Sequence, residues 1–266
     1  MDIQGNVFVV TGGGNGIGRE VVLSLLREGA RVAAVDLREP ALAETARLAA
    51  AGTRLTLHTL DVGDEAAVTA LVGDVLAAHG RVDGLINVAG IIQRFAKVAD
   101  LERAEIGKVL RVNFWGVVNT TTAFLPELQS RPAAAIVNVS SMGALAPVPG
   151  QAAYGASKAA VKLFTEGLYA ELRDTPVAVT VVFPGGVATG IAENSGSAIP
   201  GAGDTSALEA KLTTPSDAAA QIVDAVRTGP FRVCIGADAR SLDRLSRLAP
   251  RRAAEIIARR MAQLLA

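Results

Sequence analysis

Two rhythms of hydrophobicity take turns along this chain. Short apolar, β-branched runs predict strands at Val7–Thr11, Arg31–Val35, Arg54–Leu60, Gly84–Val88, Ala134–Val139, Val177–Phe183 and Phe231–Ile235. Between them, apolar positions recur every three or four residues. That spacing predicts helices at Ile17–Glu28, Ala41–Ala50, Glu65–His79 and Leu101–Phe124, a helix carrying Tyr154 and Lys158, and one from Pro215 to about Arg227. Residues 190–214 are rich in Gly, Ala and Ser and have no clear period. In a compact domain, an irregular stretch of that length reads as a loop over a substrate.

Strand and helix alternate about seven times, which predicts an α/β fold: a doubly wound, parallel, seven-stranded sheet with helices on both faces, of Rossmann type. The expected organisation is a single domain over residues 1–238 with a helical C-terminal extension over 239–266. In such sheets the ligand lies at the carboxyl ends of the strands. Gly12–Gly18, Asp36, Asp61, Asn87–Gly90, Ser141 and Pro184–Thr189 all fall at those ends.

The first of these clusters is TGGGNGIG, set between a strand and a helix. Gly12, Gly16 and Gly18 give G-x-x-x-G-x-G. Glycines let a backbone approach a pyrophosphate, and the following helix N-terminus offers free N–H groups and the positive end of a dipole. The second strand ends at Asp36, placed to accept hydrogen bonds from ribose hydroxyls and to repel a 2′-phosphate. Asn15 is not basic and Arg38 is the only nearby cation, so the expected cofactor is NAD rather than NADP.

The chemistry centres on residues 138–158. A strand delivers Ser140 and Ser141; Tyr154 follows, and Lys158 lies four residues later on the same helix face. A free phenol titrates near ~10, too high for a base at neutral pH, and a nearby cation lowers that value. A tuned phenol can exchange a proton with an alcohol or carbonyl oxygen, and a serine hydroxyl can hold that oxygen. Tyr-x-x-x-Lys also occurs on ordinary solvated helices, so the pair gains meaning only from its surroundings. Asn113, mid-helix in an apolar pattern, is mildly unfavourable there and hints at a task.

Composition narrows the rest. The chain has 266 residues, 26 basic and 26 acidic, which argues against nucleic acid as the main partner. Cys234 is the only cysteine, so neither a disulfide framework nor a cysteine metal site is expected; it reads as a buried strand residue in a reduced compartment. His58 and His79 have no ligand cluster around them and read as structural, and no metal is expected. Met1–Asn6 resembles no signal peptide and no apolar run approaches the ~18 residues of a membrane span, so the expectation is a soluble cytoplasmic protein.

Taken in order, Thr11-Gly-x3-Gly-x-Gly, Asp61, Asn-x-Ala-Gly at 87–90, Asn113, Ser141, Tyr154-x3-Lys158 and Pro184-Gly185 resemble the classical short-chain dehydrogenase/reductase family across roughly residues 3–236. The resemblance implies Tyr154 as general acid/base, Lys158 as the residue that lowers its pKa and binds the nicotinamide ribose, and Ser141 as the group orienting the substrate oxygen. Asn113 would hold a water that links Lys158 to solvent. Gly12, Asn15, Gly16, Ile17 and Gly18 would meet the pyrophosphate, Asp36 and Leu37 the adenosine ribose, and Asp61 and Val62 the adenine. Asn87, Ala89 and Gly90 would border the adenosine ribose region, and Pro184, Gly185, Val187 and Thr189 the nicotinamide carboxamide. Val88 replaces a second Asn common in that turn, and Asp36 matches the NAD-preferring subgroup. The implied activity is hydride transfer between nicotinamide and a secondary alcohol or ketone; a homo-oligomer, tetramer or dimer, is the family's habit.

Met142–Pro149, the turn Ile91–Phe95 and the 190–214 loop would wall the substrate pocket. The loop has Lys211 against Glu193, Asp204 and Glu209, which favours an apolar alcohol or ketone; Arg94 reads as solvent-facing, with a carboxylate contact as the other option. Two further activities compete: a 3-oxoacyl thioester reductase and a non-catalytic dinucleotide sensor. From Arg240 to Arg260 the tail holds seven Arg against Asp243 and Glu255. Leu242, Leu245 and Leu248 precede Pro250, and Ile256, Ile257, Met261, Leu264 and Leu265 follow it at helical spacing. Two helices split by Pro250 are expected, packed on this subunit or a partner; contact with an anionic membrane surface is the lesser reading.

Overall fold

The computed structural model describes residues 1–197 and 212–260. Seven strands, β1 (Val7–Thr11), β2 (Arg31–Asp36), β3 (Leu55–Thr59), β4 (Gly84–Asn87), β5 (Ala134–Val139), β6 (Val177–Pro184) and β7 (Arg232–Ile235), form one parallel sheet in the order β3-β2-β1-β4-β5-β6-β7. The predicted architecture holds. The order turns around at β1, where Thr11 sits in register with Val35 on one side and Asn87 on the other. A crevice opens at that switch point, outside the strand carboxyl ends.

Strands β1, β4 and β5 are buried along their whole length, which is why they read as continuous apolar runs. Alternate side chains feed two cores. Phe8, Val10 and Ile86 pack with Val22 and Leu25 of α1 (Gly16–Arg27) and with Leu42 of α2 (Glu39–Ala49). Val9, Leu85 and Ile136 pack on the other face with Leu71 and Val75 of α3 (Glu65–His79). Each such fully buried side chain contributes about 1.5–3 kcal/mol of hydrophobic stabilisation.

The predicted helix Leu101–Phe124 is not one regular element. It is α4 (Arg103–Leu110), a single π turn at Arg111–Trp115, and α5 (Gly116–Gln129). In the π turn the Gly116 N–H reaches back five residues to the Arg111 carbonyl, so the helix widens around Asn113. Phe124 and Leu128 of α5 join Leu168 and Leu172 of α6 (Ala152–Leu172) in the second core.

After β6 comes a one-turn helix, α7 (Ile191–Asn194). Helix α8 (Pro215–Thr228) leads into β7, and the tail forms α9 (Ala237–Leu248) and α10 (Pro250–Arg260). Pro250 opens α10, at a position where its missing N–H costs nothing. Ala239 and Ala253 are buried while Arg240, Arg244 and Arg252 are exposed, so the tail packs through small residues and turns its charge outward. Asp243 of α9 accepts from Arg232 of β7 at 3.0 Å. Cys234 is only half-buried, a correction to its expected place in the core: β7 is an edge strand with one open side. Asp204, Glu209, Lys211, Met261, Leu264 and Leu265 lie outside the described residues. Among those described, no helix is long and apolar enough to cross a membrane.

Candidate active site

The glycine turn is built by exclusion of side chains. Gly12 (φ +71°) presses so close to the turn after β4 that a Cβ would lie 2.9 Å from Ala89 N. Gly14 sits against Asp36, whose carboxylate accepts from Gly14 N–H and Arg38 N–H, both at 3.0 Å. The turn is braced from behind: Arg19 donates to the Gly14 carbonyl at 3.0 Å, and the Thr45 hydroxyl to the Gly13 carbonyl at 3.0 Å. Asn15 makes no side-chain cap, so the first-turn N–H groups of α1 stay open towards the crevice. Small backbone, free N–H groups and an acidic strand end fit a dinucleotide phosphate and ribose.

A cleft of about 260 Å³ runs from this turn across the sheet ends. It is bordered by Gly12, Asn15, Gly16, Ile17, Gly18, Asp36, Leu37, Asp61, Val62, Ala89, Gly90 and Thr189, twelve positions singled out from sequence. Its floor at the far strand end is fixed by Asp61, which accepts from Gly63 N–H at 2.8 Å and pairs with Arg111 at 2.6 Å. Burial pushes the Asp61 carboxyl up, but those two hydrogen bonds together hold it below its ordinary value. Asn87 is different: its side chain is buried, donating to Asn138 at 2.9 Å and accepting from Thr120 at 2.8 Å. It ties β4 to β5 and α5 and does not line the cleft.

Tyr154, Lys158, Ser141 and Asn113 come together beyond the turn after β4. A Cβ at Gly90 would lie 3.1 Å from Lys158 Nζ and 3.3 Å from Asn113 Oδ1. A Cβ at Gly143 would lie 3.4 Å from Ser141 Oγ and 3.5 Å from Tyr154 Cε1. Ser141 Oγ accepts from Gly143 N–H at 3.0 Å, which leaves its hydroxyl proton free to donate. Lys158 Nζ donates to the Val139 carbonyl at 3.0 Å. Asn113 bonds the Ile91 backbone on both sides, at 2.8 and 2.9 Å, and donates to Ser157 at 2.9 Å.

On the nicotinamide-facing side expected from sequence, Thr189 borders the cleft against Gly16 while Pro184, Gly185 and Val187 shape the backbone behind it. Gly185 N–H bonds the Ile235 carbonyl at 2.9 Å, Gly186 N–H donates to Asp238 at 2.7 Å, and Val187 pairs with Thr213. Sequence reading missed Asp238, Arg111 and Asn194. Asn194 of α7 donates to Asn15 at 2.9 Å across the cleft, and Ser195 accepts from Ile92 N–H at 3.0 Å. All three act over long sequence separations, where no local pattern reports them.

Comparison with known proteins bears on this geometry directly. The short chain dehydrogenase family model matches residues 6–199. The chain belongs to the short-chain dehydrogenases. It is 40% identical over 252 residues to the oxidoreductase SadH of Mycobacterium tuberculosis, covering 92% of this chain and 91% of that one. A short chain dehydrogenase/reductase from Burkholderia phymatum, solved in complex with NAD, superposes with a TM-score of 0.86 at 28% identity, over 96% of this chain and 97% of the other. A 3-ketoacyl-(acyl-carrier-protein) reductase from Brucella melitensis, complexed with NADH, gives a TM-score of 0.78 at 26% identity over 90% and 98%. The family is one of oxidoreductases, and a nicotinamide dinucleotide is the cofactor these findings support.

In this short-chain dehydrogenase, burial acts on both groups of the Tyr–Lys pair. It holds the Lys158 ammonium down to about 8. It also pushes the Tyr154 phenol above its ordinary value, against a smaller opposing effect of the hydrogen bond with Ser141. That differs from the lowered phenol expected from sequence. The reason is geometric: Lys158 is buried and engaged by the Val139 carbonyl, while the half-buried Tyr154 ring lies against Gly143 beside Ser141.

Proposed function

We propose that the protein is an NAD-dependent oxidoreductase that transfers a hydride between nicotinamide and a secondary alcohol or ketone of apolar character. One observation carries the reading: Ser141 and Tyr154 flank Gly143 while Lys158 and Asn113 flank Gly90, at the end of a glycine-lined cleft. The glycine turn and α1 N-terminus would hold the pyrophosphate, Asp36 the adenosine ribose, Asp61 the adenine, and Lys158 the nicotinamide ribose. When bound, the dinucleotide supplies or accepts the hydride.

The chain's own groups handle the proton and the substrate's orientation. In reduction, Tyr154 donates its phenolic proton to the carbonyl oxygen, and the Ser141 hydroxyl donates a hydrogen bond to the same oxygen. Lys158 stabilises the phenolate that remains. In oxidation the proton runs the other way. Positioning of this kind is worth several orders of magnitude in rate without any new bond to the protein.

Asp36 supports NAD over NADP: its oxygens accept from Gly14 N–H and Arg38 N–H, which fixes an acidic group on the border of the cleft, where its charge opposes a 2′-phosphate. Arg94 supports an apolar substrate: its guanidinium is spent on Glu105 at 3.0 Å and on the Asp100 carbonyl. We take 239–266 as an appendage of the same domain, since Asp238 and Asp243 fasten α9 to the body. Structural similarity to the Brucella reductase, itself complexed with NADH, favours a 3-oxoacyl thioester as the second substrate reading.

The test is turnover with NADH and NADPH on 2-alkanones, cyclic ketones and a 3-oxoacyl thioester, for wild type and Tyr154→Phe. Reduction of simple ketones with NADH, lost in the variant, is the expected result. Preference for the thioester moves the assignment to the second reading. Wild-type rates in Tyr154→Phe would overturn the role of the phenol.

A further inference from the structure

Helix α6 carries both Tyr154 and Lys158, and its N-terminus is capped in an unusual way. The N-cap residue, Gln151, makes no side-chain cap bond. Instead Gln93, from the turn after β4, reaches in with 1% of its surface exposed. Its Oε1 accepts from Ala153 N–H at 2.7 Å and from Tyr154 N–H at 3.1 Å. Its Nε2 donates to the Gly150 carbonyl at 2.9 Å, and its own carbonyl accepts from Gln151 Nε2 at 2.9 Å. Every polar atom of the Gln93 side chain is therefore paired, and one of its bonds ends on the backbone N–H of Tyr154 itself.

The residues just before it are fixed in the same manner. Ile91 is held by Asn113 and Ile92 by Ser195. Three consecutive residues thus connect the buried asparagine, the C-terminal end of α7 and the first turn of α6.

We infer that Gln93 is a positioning residue for Tyr154: it fixes the depth and direction of the first turn of α6, and so places the phenol beside Ser141. Glutamine suits the task chemically. One carbonyl oxygen has two lone pairs for two N–H groups, and the amide supplies the shorter of the two bonds that the Gly150 carbonyl accepts. Leucine would leave two helix N–H groups buried without this acceptor and the Gly150 carbonyl with only the longer bond from Ala96 N–H, at 3.3 Å. An ionised glutamate would face the Gly150 carbonyl with an acceptor.

The inference rests on Tyr154 being the proton donor, so Tyr154→Phe is measured alongside. Wild type, Gln93→Leu, Gln93→Glu and Tyr154→Phe are compared with NADH and the ketone that the wild type reduces best, well below every variant's melting midpoint. Gln93→Leu is expected to lose about 10- to 100-fold in kcat, as for a reacting group displaced by a fraction of an ångström to about 1 Å. KM and the NADH Kd, read by cofactor fluorescence, stay within about threefold, because Gln93 does not border the dinucleotide cleft. Gln93→Glu is expected to recover as pH falls, when its protonated acid donates to Gly150 again, a titration absent from the wild type. Wild-type kcat in Gln93→Leu with Tyr154→Phe inactive overturns the inference alone, as does a loss confined to NADH affinity. Wild-type rates in Tyr154→Phe overturn the assignment on which it rests. Should Gln93→Leu fail to fold, a Gln93→Glu profile identical to wild type at all pH values is equally decisive against it.

Discussion

Gly18 offers the sharpest test of the glycine turn. A Cβ there would run into the Gly12 carbonyl oxygen and lie 2.6 Å from the Gly12 carbonyl carbon, where ordinary contact begins at 3.4 Å. Even from the carbon the shortfall is about 0.8 Å (3.4 − 2.6), and neither atom belongs to a side chain that can swing aside. The turn itself must move, and Gly12 is already pressed on Ala89. Overpacking of this kind costs about 1–3 kcal/mol. If about 2 kcal/mol of it falls on the dinucleotide-bound state, affinity drops roughly 30-fold. Gly73 in α3 is the matched control, since a Cβ there meets nothing within 4 Å. Gly73→Ala should stabilise the fold by about 0.5–1 kcal/mol and leave cofactor binding alone. Urea unfolding and NADH fluorescence titration of the two variants read both quantities. A Gly18→Ala protein with wild-type midpoint and wild-type Kd would show that the turn yields freely and does not cradle the pyrophosphate.

Three further outcomes are expected. The buried Asp83 carboxylate gathers Val7 N–H, Arg81 and Arg131 at 2.8–2.9 Å; Asp83→Asn should cost about 2–3 kcal/mol in urea unfolding, below the ~3–5 of a fully buried pair because both guanidiniums reach water, and a cost under ~0.5 would contradict this. The Thr56 hydroxyl bridges His58 and His79 at 2.8 and 2.9 Å, and burial holds both imidazoles below their ordinary value. The unfolded chain then binds protons that the fold resists, so stability is present above ~6.5 and declines as pH falls below it; an unfolding midpoint constant from pH 7 to 5 would sink the idea. Lys158, held to about 8, is an ammonium below that pH and loses its charge above it. Ketone reduction should slow as pH rises through that value, a limb that Lys158→Met removes along with most of the rate; a flat profile from pH 7 to 9 would refute it.

The fold and most of the cleft were legible because they follow from local patterns. Buried parallel strands announce themselves as apolar runs, and Gly12, Asp36, Asp61 and Gly90 gain their positions simply by ending those strands. What sequence could not supply was the set of long-range hydrogen bonds. Gln93 caps a helix 60 residues away, and Asn194 meets Asn15 from 179 residues away. Neither leaves a periodic trace. Asn113 gave a partial signal, a polar residue in an apolar helix, but the π turn that accommodates it depends on packing against Ile91 and Ser157. Asn87 misled in the other direction: it stands in the right turn, yet its side chain serves the sheet.

The surroundings of the Tyr154–Lys158 pair alter the proton chemistry expected from sequence. From sequence, Lys158 was the reason for a low phenol pKa. In the fold, desolvation disfavours the charged form of each group, raising Tyr154 and lowering Lys158. The first shift keeps the phenol protonated near neutral pH, where Lys158 still carries its charge. On the proposed reading, the resting chain is therefore set as a proton donor, the form that reduces a carbonyl. Taking a proton from an alcohol requires the opposite state, and the groups able to favour it are Ser141, whose hydroxyl bonds the phenol, and a Lys158 that retains its charge. Since Lys158 keeps that charge only below about 8, raising the pH cannot simply improve the base: it frees the phenol's proton while removing the cation that would hold the phenolate. How the rate of each half-reaction varies with pH thus depends on the surroundings of the pair as much as on the identity of its residues.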